Sequence, residues 1–411
     1  MSTDSSQEVQ AKLSLKGAAA DYWARIKSGD IGSLPAVLGL IALCIVFGVM
    51  SDVFLTPGNF ANLLTQAASV IVIAMGLIFV LLLGEIDLSA GYASGVTGAV
   101  LVILVTNHGW PWYAAFAVSI AVGVLLGYSI GFLVARIGIP SFVVTLAGFL
   151  AFQGLLLLLA GEGGTIRIDD PTVLAIQNNN MKPILSWGFF IVVSVLYILS
   201  GLNRINSRRK LGLKTELTQL WAIKTAGLLG VSGLAVWALC VERSNNPKLI
   251  SLKGIPDVVP LILGILVVGT FVLGRTAYGR NLYAVGGNAE AARRAGINVK
   301  AIRTSVFVIC SGLSAVAGLL FASRQNSISP TTGGSSTLLY AVGAAVIGGT
   351  SLFGGKGKLR DAILGGLVVA VIDNGMGLLG YAAGIKFIVT GLVLLVSAGV
   401  DALSRKGAST N

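Results

Sequence analysis

Charge is scarce in this sequence and histidine is nearly missing. Asp, Glu, Lys and Arg make up 11% of the 411 residues, against about 25% in a typical soluble domain. With 55% hydrophobic residues and a mean hydropathy of +0.87, this excludes an ordinary water-soluble globule and indicates an integral membrane protein. The single histidine, His108 in "TNHGWPW", stands apart from any serine or cysteine pattern, which argues against a catalytic triad and against a histidine-based zinc site. The three cysteines, Cys44, Cys240 and Cys310, fall in apolar stretches and form neither a disulfide framework nor a metal motif. A nucleotide-binding P-loop is also missing. "GGTSLFGGKGKL" (348–359) is Gly-rich, but Gly357 and Leu359 follow its lysines where a P-loop needs a hydroxyl for Mg²⁺. No cofactor or metal is expected, and no enzyme activity. The first thirty or so residues are mostly polar, so no cleavable signal peptide is expected.

What is abundant is glycine, at 54 residues, roughly twice the usual ~7%. Small residues let membrane helices approach closely, and Gly123, Gly127 and Gly131 recur at the spacing of one helix face. Lys and Arg outnumber Asp and Glu by 29 to 17. In a membrane protein such an excess reads as topology, since cytoplasmic loops collect Lys and Arg; no nucleic-acid partner is implied.

Runs of ~20 apolar residues predict about twelve spans, near 34–51, 68–83, 90–106, 112–135, 141–160, 183–201, 219–240, 257–274, 304–323, 336–353, 362–380 and 385–403. The chain reads as an all-α polytopic membrane protein with one transmembrane domain (34–403) between a tail at 1–33 and another at 404–411. "SLKGAAADYWARIKSG" (14–29) reads as an interfacial helix with Tyr22 and Trp23 near lipid headgroups. "PGNFANLLTQ" (57–66) is polar enough to predict an interfacial or re-entrant piece. With the N-terminus inside, 22 of the 29 Lys and Arg residues fall on inner segments, which predicts both termini in the cytoplasm.

Two soluble segments stand out. "GLNRINSRRKLGLK" (201–214) is a basic topology anchor. The longer 275–303 connection predicts a short capped helix. Gly287 precedes Asn288 as N-cap, Glu290 sits in the first turn, and Arg293 and Arg294 sit in the last. Glu290 and Arg294 are i,i+4 partners, and Gly296 can take the left-handed C-terminal position. Two turns are marginal alone in water, so this helix needs support from the rest of the protein or from a partner. Ala291, Ala292 and Ala295 give it a small-residue surface.

Glu85 and Asp87 of "GEIDLSAG" (84–91) sit between long apolar runs, where an ionised group costs about 2.5–3.5 kcal/mol at a span centre. The flanking spans read as short, so the break is expected at or within the membrane surface, buried in protein or lining a wet cavity. Asp87 and Ser89 can cap the following helix. Glu85 has no equally good structural role, and is expected to face an aqueous pathway or to pair with a basic residue of another subunit. Asp373 and Asn374, mid-span, are pathway candidates, as are Thr145 and Gln153; each could instead make an interhelical hydrogen bond.

These motifs resemble the sugar-importer permeases of bacterial ATP-binding-cassette transporters, the family of ribose, galactose, arabinose and xylose permeases. "GEIDLSAG" is similar to that family's "G-I-D-L-S-V-G" signature, and "YAVGGNAEAARRAGINV" (283–299) to its coupling segment. "VIGGTSLFGGKGKL" (346–359) and "DNGMGLLG" (373–380) match as well. Glu85, "IPSFVVTLAGFLAFQG" (139–154) and an extra pair of spans around 183–240 point to the xylose type. "LSAG" in place of "LSVG", together with Lys356 and Lys358, departs from the pattern. The resemblance implies a type II-like permease in the bacterial inner membrane, paired with a second permease copy in a homodimer. It also implies a separate ATP-binding subunit whose cleft seats the 288–296 helix, and a periplasmic sugar-binding protein that carries the high affinity. The expected substrate is a monosaccharide, D-xylose first, with another pentose, a hexose or a nucleoside as alternatives. The competing class is a proton-coupled secondary transporter with Glu85, Asp87 or Asp373 relaying protons, although no clear repeat between the halves supports it. A non-transporting scaffold would leave the intramembrane polar groups without a role.

The charge count predicts that His108 lies outside and Lys210 inside. In a background lacking the three native cysteines, His108→Cys and Lys210→Cys should react with an impermeant thiol reagent from opposite faces. Labelling from one side would overturn the spans assigned between 112 and 201.

Overall fold

A computed structural model describes residues 34–161, 164–211 and 218–409, with side chains described as far as 399. The expected interfacial helix at 14–29 and the 212–217 part of the basic loop lie outside these residues. The segment expected as one transmembrane domain divides into two compact units, one of 32–179 with 256–401 and the other built on 180–255.

The larger unit holds α1 (Leu34–Met50), α2 (Pro57–Leu81), α3 (Ala90–Thr106), α4 (Trp112–Phe132), α5 (Ser141–Ala160) and the short α6 (Pro171–Asn178). The smaller unit holds α7 (Pro183–Lys210) and α8 (Thr218–Cys240). The chain then returns to the larger unit with α9 (Val258–Arg275), α10 (Ala277–Gly287), α11 (Ala289–Arg294), α12 (Val299–Gln325), α13 (Ser335–Ile347), α14 (Leu359–Leu378) and α15 (Ala383–Ser409). Two-residue strands, β1 (Ile166–Arg167) and β2 (Ser327–Ile328), pair antiparallel. Among the described residues, eight helices are long and apolar enough to cross a membrane, and four shorter apolar helices accompany them. Each predicted apolar run coincides with one of these helices.

The polar 57–66 stretch is continuous with the apolar run after it and forms the first turns of α2. Thr56 caps that helix by accepting the Asn59 N–H, and Pro57 suits its first turn. Asn59 is buried because it exchanges side-chain amide bonds of 2.9 and 3.0 Å with Asn374 of α14. That pairing satisfies polar atoms that would otherwise favour the interface. The span before "GEIDLSAG" is therefore longer than expected, at 25 residues, while α3 after it has 17.

Helices α2 and α12 form the centre of the larger unit, with α3, α4 and α14 packed around them. Glycine sets how close they come. A Cβ at Gly123, Gly127 or Gly131 of α4 would lie 2.7, 2.4 and 2.8 Å from the carbonyl oxygens of Ser311, Phe307 and Thr304 on α12. The spacing seen in the sequence is thus a packing face. Helix α13 ends at Ile347, short of the predicted 353, because Gly348 lies against the Asp361 carbonyl and Gly349 turns the chain at φ +115°.

In the smaller unit, α7 and α8 cross where Gly201 meets the Trp221 indole, and Arg209 donates to the Thr218 hydroxyl at 2.6 Å. This pair is the one that the sequence marks as additional. The loop that follows α8, from 241 to 255, is organised by Glu242. The carboxylate accepts the N–H groups of Leu252 (2.9 Å), Ser244 (3.1 Å) and Arg243 (3.0 Å) and the Ser251 hydroxyl (2.8 Å). Arg243 in turn donates to Asn180 Oδ1 and the Gly254 carbonyl.

Hydrogen bonds from the Leu252 amide foremost, then from Ser244, hold the Glu242 carboxyl down to about 2. A depressed carboxyl stabilises the loop above its ordinary value and loses that contribution as pH falls through the depressed one. Hydrogen exchange, referenced to intrinsic rates, should show the Ser244 and Leu252 amides protected at pH 5 and released as pH approaches 2. Glu242→Ala should expose both amides at every pH.

Candidate functional site

At the far end of α2 three stretches of backbone meet with no side chain between them. The Leu82 carbonyl accepts the Gly355 N–H at 2.8 Å. A Cβ on Gly286, at the end of α10, would lie 1.9 Å from that same carbonyl oxygen. Gly354 turns at φ +83°, and a Cβ there would be 2.9 Å from the Gly84 N and 3.0 Å from the Gly286 O. The end of α2, the 348–358 loop and the α10 end are therefore held at distances that only glycine allows. Tyr283 of α10 reinforces the contact by donating to the Gly357 carbonyl at 2.7 Å. Tyr278 pairs with Ser305 of α12 at 2.8 Å.

Glu85 belongs to this junction. Its Oε1 lies 3.0 Å from Nη2 of Arg303, and its side chain is only 13% exposed. Its partner is thus in its own chain, near the start of α12; Arg303 occupied the end of the 275–303 segment without drawing notice. Asp87 is fully buried and bonds to Ser89, the residue at the N-cap position of α3. Its Oδ1 accepts the Ser89 N–H at 2.9 Å and the Ser89 hydroxyl at 2.6 Å. Ser89, at the N-cap position of α3, makes no side-chain capping bond of its own. The second Asp87 oxygen has no hydrogen-bond partner among the described residues, although Cys310 of α12 lies near the carboxyl. Thr145 also serves this segment, donating to the Ile86 carbonyl at 3.2 Å.

The predicted short helix is α11, and it follows directly on α10. Asn288 Oδ1 accepts the Ala291 N–H at 2.9 Å. Glu290 pairs with Arg293 at 2.7 Å and Arg294 at 3.3 Å. Gly296 ends the segment at φ +84°. Gly287 closes α10 with open space where a Cβ would stand. The alanines do not share one surface. Ala291 and Ala295 are exposed, but Ala292 is buried in the protein's own core, so its face anchors α11 to the rest of the protein and is not free for a partner.

Asp373 and Asn374 lie elsewhere, at a cavity of about 360 Å³ between α2, α12, α13, α14 and the start of α15. Asn374 spends its amide on Asn59, with a longer contact to Gln66 at 3.5 Å. Asp373 Oδ1 lies 3.5 Å from Lys386 Nζ. Arg324 and Tyr340 complete the polar lining. Neither they nor Lys386 stand out in the sequence, where Tyr340 and Lys386 are single polar residues in apolar runs and Arg324 is one of several polar residues in "SRQNS" (323–327). Gln153 is half-buried on α5 and does not reach the cavity. Junction and cavity occupy opposite ends of the same helices. On α2, Gln66 and Leu82 are about 24 Å apart at 1.5 Å per residue. On α12, Arg303 serves one end and Arg324 the other; α14 likewise starts beside the glycine loop and ends at Asp373.

The chain belongs to the family described as branched-chain amino acid transport system / permease component, which matches residues 59–398. It is 34% identical to the xylose transport system permease protein XylH of Escherichia coli K12, over 99% of this chain and 100% of that protein. The Haemophilus influenzae XylH is 33% identical over 91% of this chain and 98% of its own. The ribose import permease protein RbsC of E. coli K12 is 28% identical over 89% and 92%. No solved structure matches.

Glu85 is mostly buried but the Arg303 side chain is 39% exposed, so solvent screening reduces the cost of removing one charge to about 1 kcal/mol. Arg303→Glu, which sets two carboxylates together, should lower thermal stability more than Glu85→Gln does. The swap Glu85→Arg with Arg303→Glu should recover most of the loss in a detergent melting assay. Equal melting of all three variants would show that the pair carries no weight.

Proposed function

We propose that this protein is the transmembrane permease subunit of an ATP-binding-cassette importer, passing a monosaccharide across the bacterial inner membrane. The observation that carries this reading is likeness over nearly the full chain to permeases named for xylose transport. D-xylose is accordingly the first candidate substrate. ATP hydrolysis belongs to a separate subunit, which fits a chain with no P-loop. A periplasmic sugar-binding protein delivers the sugar, a second permease copy completes the pore, and both termini face the cytoplasm.

In this reading the α10–α11 segment (Ala277–Arg294) is the contact with the ATPase. Its exposed face carries Glu290, Ala291, Arg293, Arg294 and Ala295, while Ala292 holds it to the permease. A push on α11 passes through Gly286 to the Leu82 carbonyl and so to α2, since that contact has no side chain to yield. The Glu85–Arg303 pair ties the same break to α12. This is a pair of packed arrangements biased from a distant site. Asp373 and Asn374, at the other end of these helices, face the sugar's route.

Reconstitution with the ATPase and binding protein should give sugar-stimulated hydrolysis and ATP-dependent uptake, xylose leading a panel of pentoses and hexoses. Uptake that collapses with the proton gradient while ATP remains would favour a secondary transporter. Ala291→Trp should leave permease yield intact and abolish coupled transport. Ala292→Trp, entering the core, should lower the yield of the permease itself. Wild-type transport by the Ala291→Trp complex would remove α11 from the ATPase contact.

A further inference from the structure

The polar cavity at the far end of α2, α12 and α14 is supplied with hydrogen-bonding groups that the fold does not use. Asn374 is occupied by Asn59. Arg324, half-buried at the last turn of α12, forms no hydrogen bond or ion pair among the described residues. Tyr340 makes only a ring contact with Phe387, at 6.2 Å, among them. Asp373 reaches Lys386 with one oxygen, at a loose 3.5 Å, and its other oxygen has no partner among the described residues. A guanidinium, a phenol hydroxyl and a carboxylate oxygen thus face one space with bonding capacity to spare. At about 360 Å³ that space is at the small end of small-molecule sites.

Arg324 and Lys386 outnumber Asp373, so charge alone does not exclude an anion, and a zwitterionic amino acid could set its carboxylate on Arg324 and its ammonium on the second Asp373 oxygen. A neutral polyol uses the same groups, since each hydroxyl can donate to the carboxylate and accept from the guanidinium, and likeness to permeases named for xylose transport selects it. We infer that this cavity is a monosaccharide site within the permease, with Arg324, Asp373 and Tyr340 meeting sugar hydroxyls and Lys386 holding Asp373 in place. The inference rests on the importer reading and extends it, because recognition then also occurs inside the membrane subunit. A loose ion pair and few direct contacts suit a site from which the sugar must leave.

Saturation-transfer NMR on the permease in nanodiscs, with D-xylose and L-leucine as separate probes, tests this. D-xylose should give transfer signal, and L-leucine should neither give signal nor compete. Arg324→Gln and Asp373→Asn should weaken xylose binding at least about tenfold, and Lys386→Arg should keep it. Should a variant not fold, wild-type protein still decides: xylose should slow amine modification of Lys386, and L-leucine should not. Absent xylose signal, competition by L-leucine, or unchanged xylose binding in both folded variants would overturn the site. Transport by the assembled complex separates this from the importer reading. A wild-type complex that imports no monosaccharide fails that reading. One that imports xylose equally well with Arg324→Gln fails the cavity alone.

Discussion

The contact on which the rest of this structure depends is the approach of Gly286 and Gly355 to the carbonyl of Leu82. Backbone packed on backbone has no rotamer to absorb a displacement, so the α10–α11 segment and the membrane spans move together or the packing breaks. The same device recurs along α4, where glycine rests on the carbonyl row of α12, and at Gly365 of α14, where a Cβ would stand 1.8 Å from the Ala344 oxygen. Where lipid offers no hydrophobic drive between helices, such close approach supplies the packing energy that holds the spans together. It also makes the helices stiff enough to carry a movement from one end to the other.

Polar groups inside the apolar body follow one economy. One Asp87 oxygen accepts from Ser89 while the other has no hydrogen-bond partner among the described residues, Asn59 and Asn374 satisfy each other, and Glu85 has Arg303. Burial favours such matching within the chain. The cavity end of the helices differs, with Arg324 and Tyr340 left free of hydrogen bonds among the described residues and Asp373 half-used. A permease has reason for both arrangements. In the importer proposed above, the matched groups would hold parts together as units, and the unmatched ones would be available to a solute.

How much was legible in the sequence depended on how local the cause was. The α11 helix was readable in full, because its caps and ion pairs are set by residues within one stretch of chain, from Asn288 to Gly296. The glycine face of α4 announced its packing role by spacing alone, though not its partner. That the polar 57–66 stretch runs unbroken into α2 was not legible, because Asn59 is satisfied by a residue 315 positions away. Ala292 looked equivalent to its neighbours, since two turns of helix do not say which side meets the core.

By itself the sequence determined that the chain is an all-helical membrane protein, where its apolar helices run, which soluble segment is a capped helix, and to which family it belongs. These follow from composition, from apolar run length and from residues near one another in the chain. Only the tertiary structure decided that Glu85 pairs with Arg303, that three glycine-bearing segments close on Leu82, and that Arg324, Asp373 and Lys386 face one cavity. Those pairings join positions far apart in sequence. No local pattern records which distant backbone will come close enough to exclude a side chain, or which charge will stand opposite another.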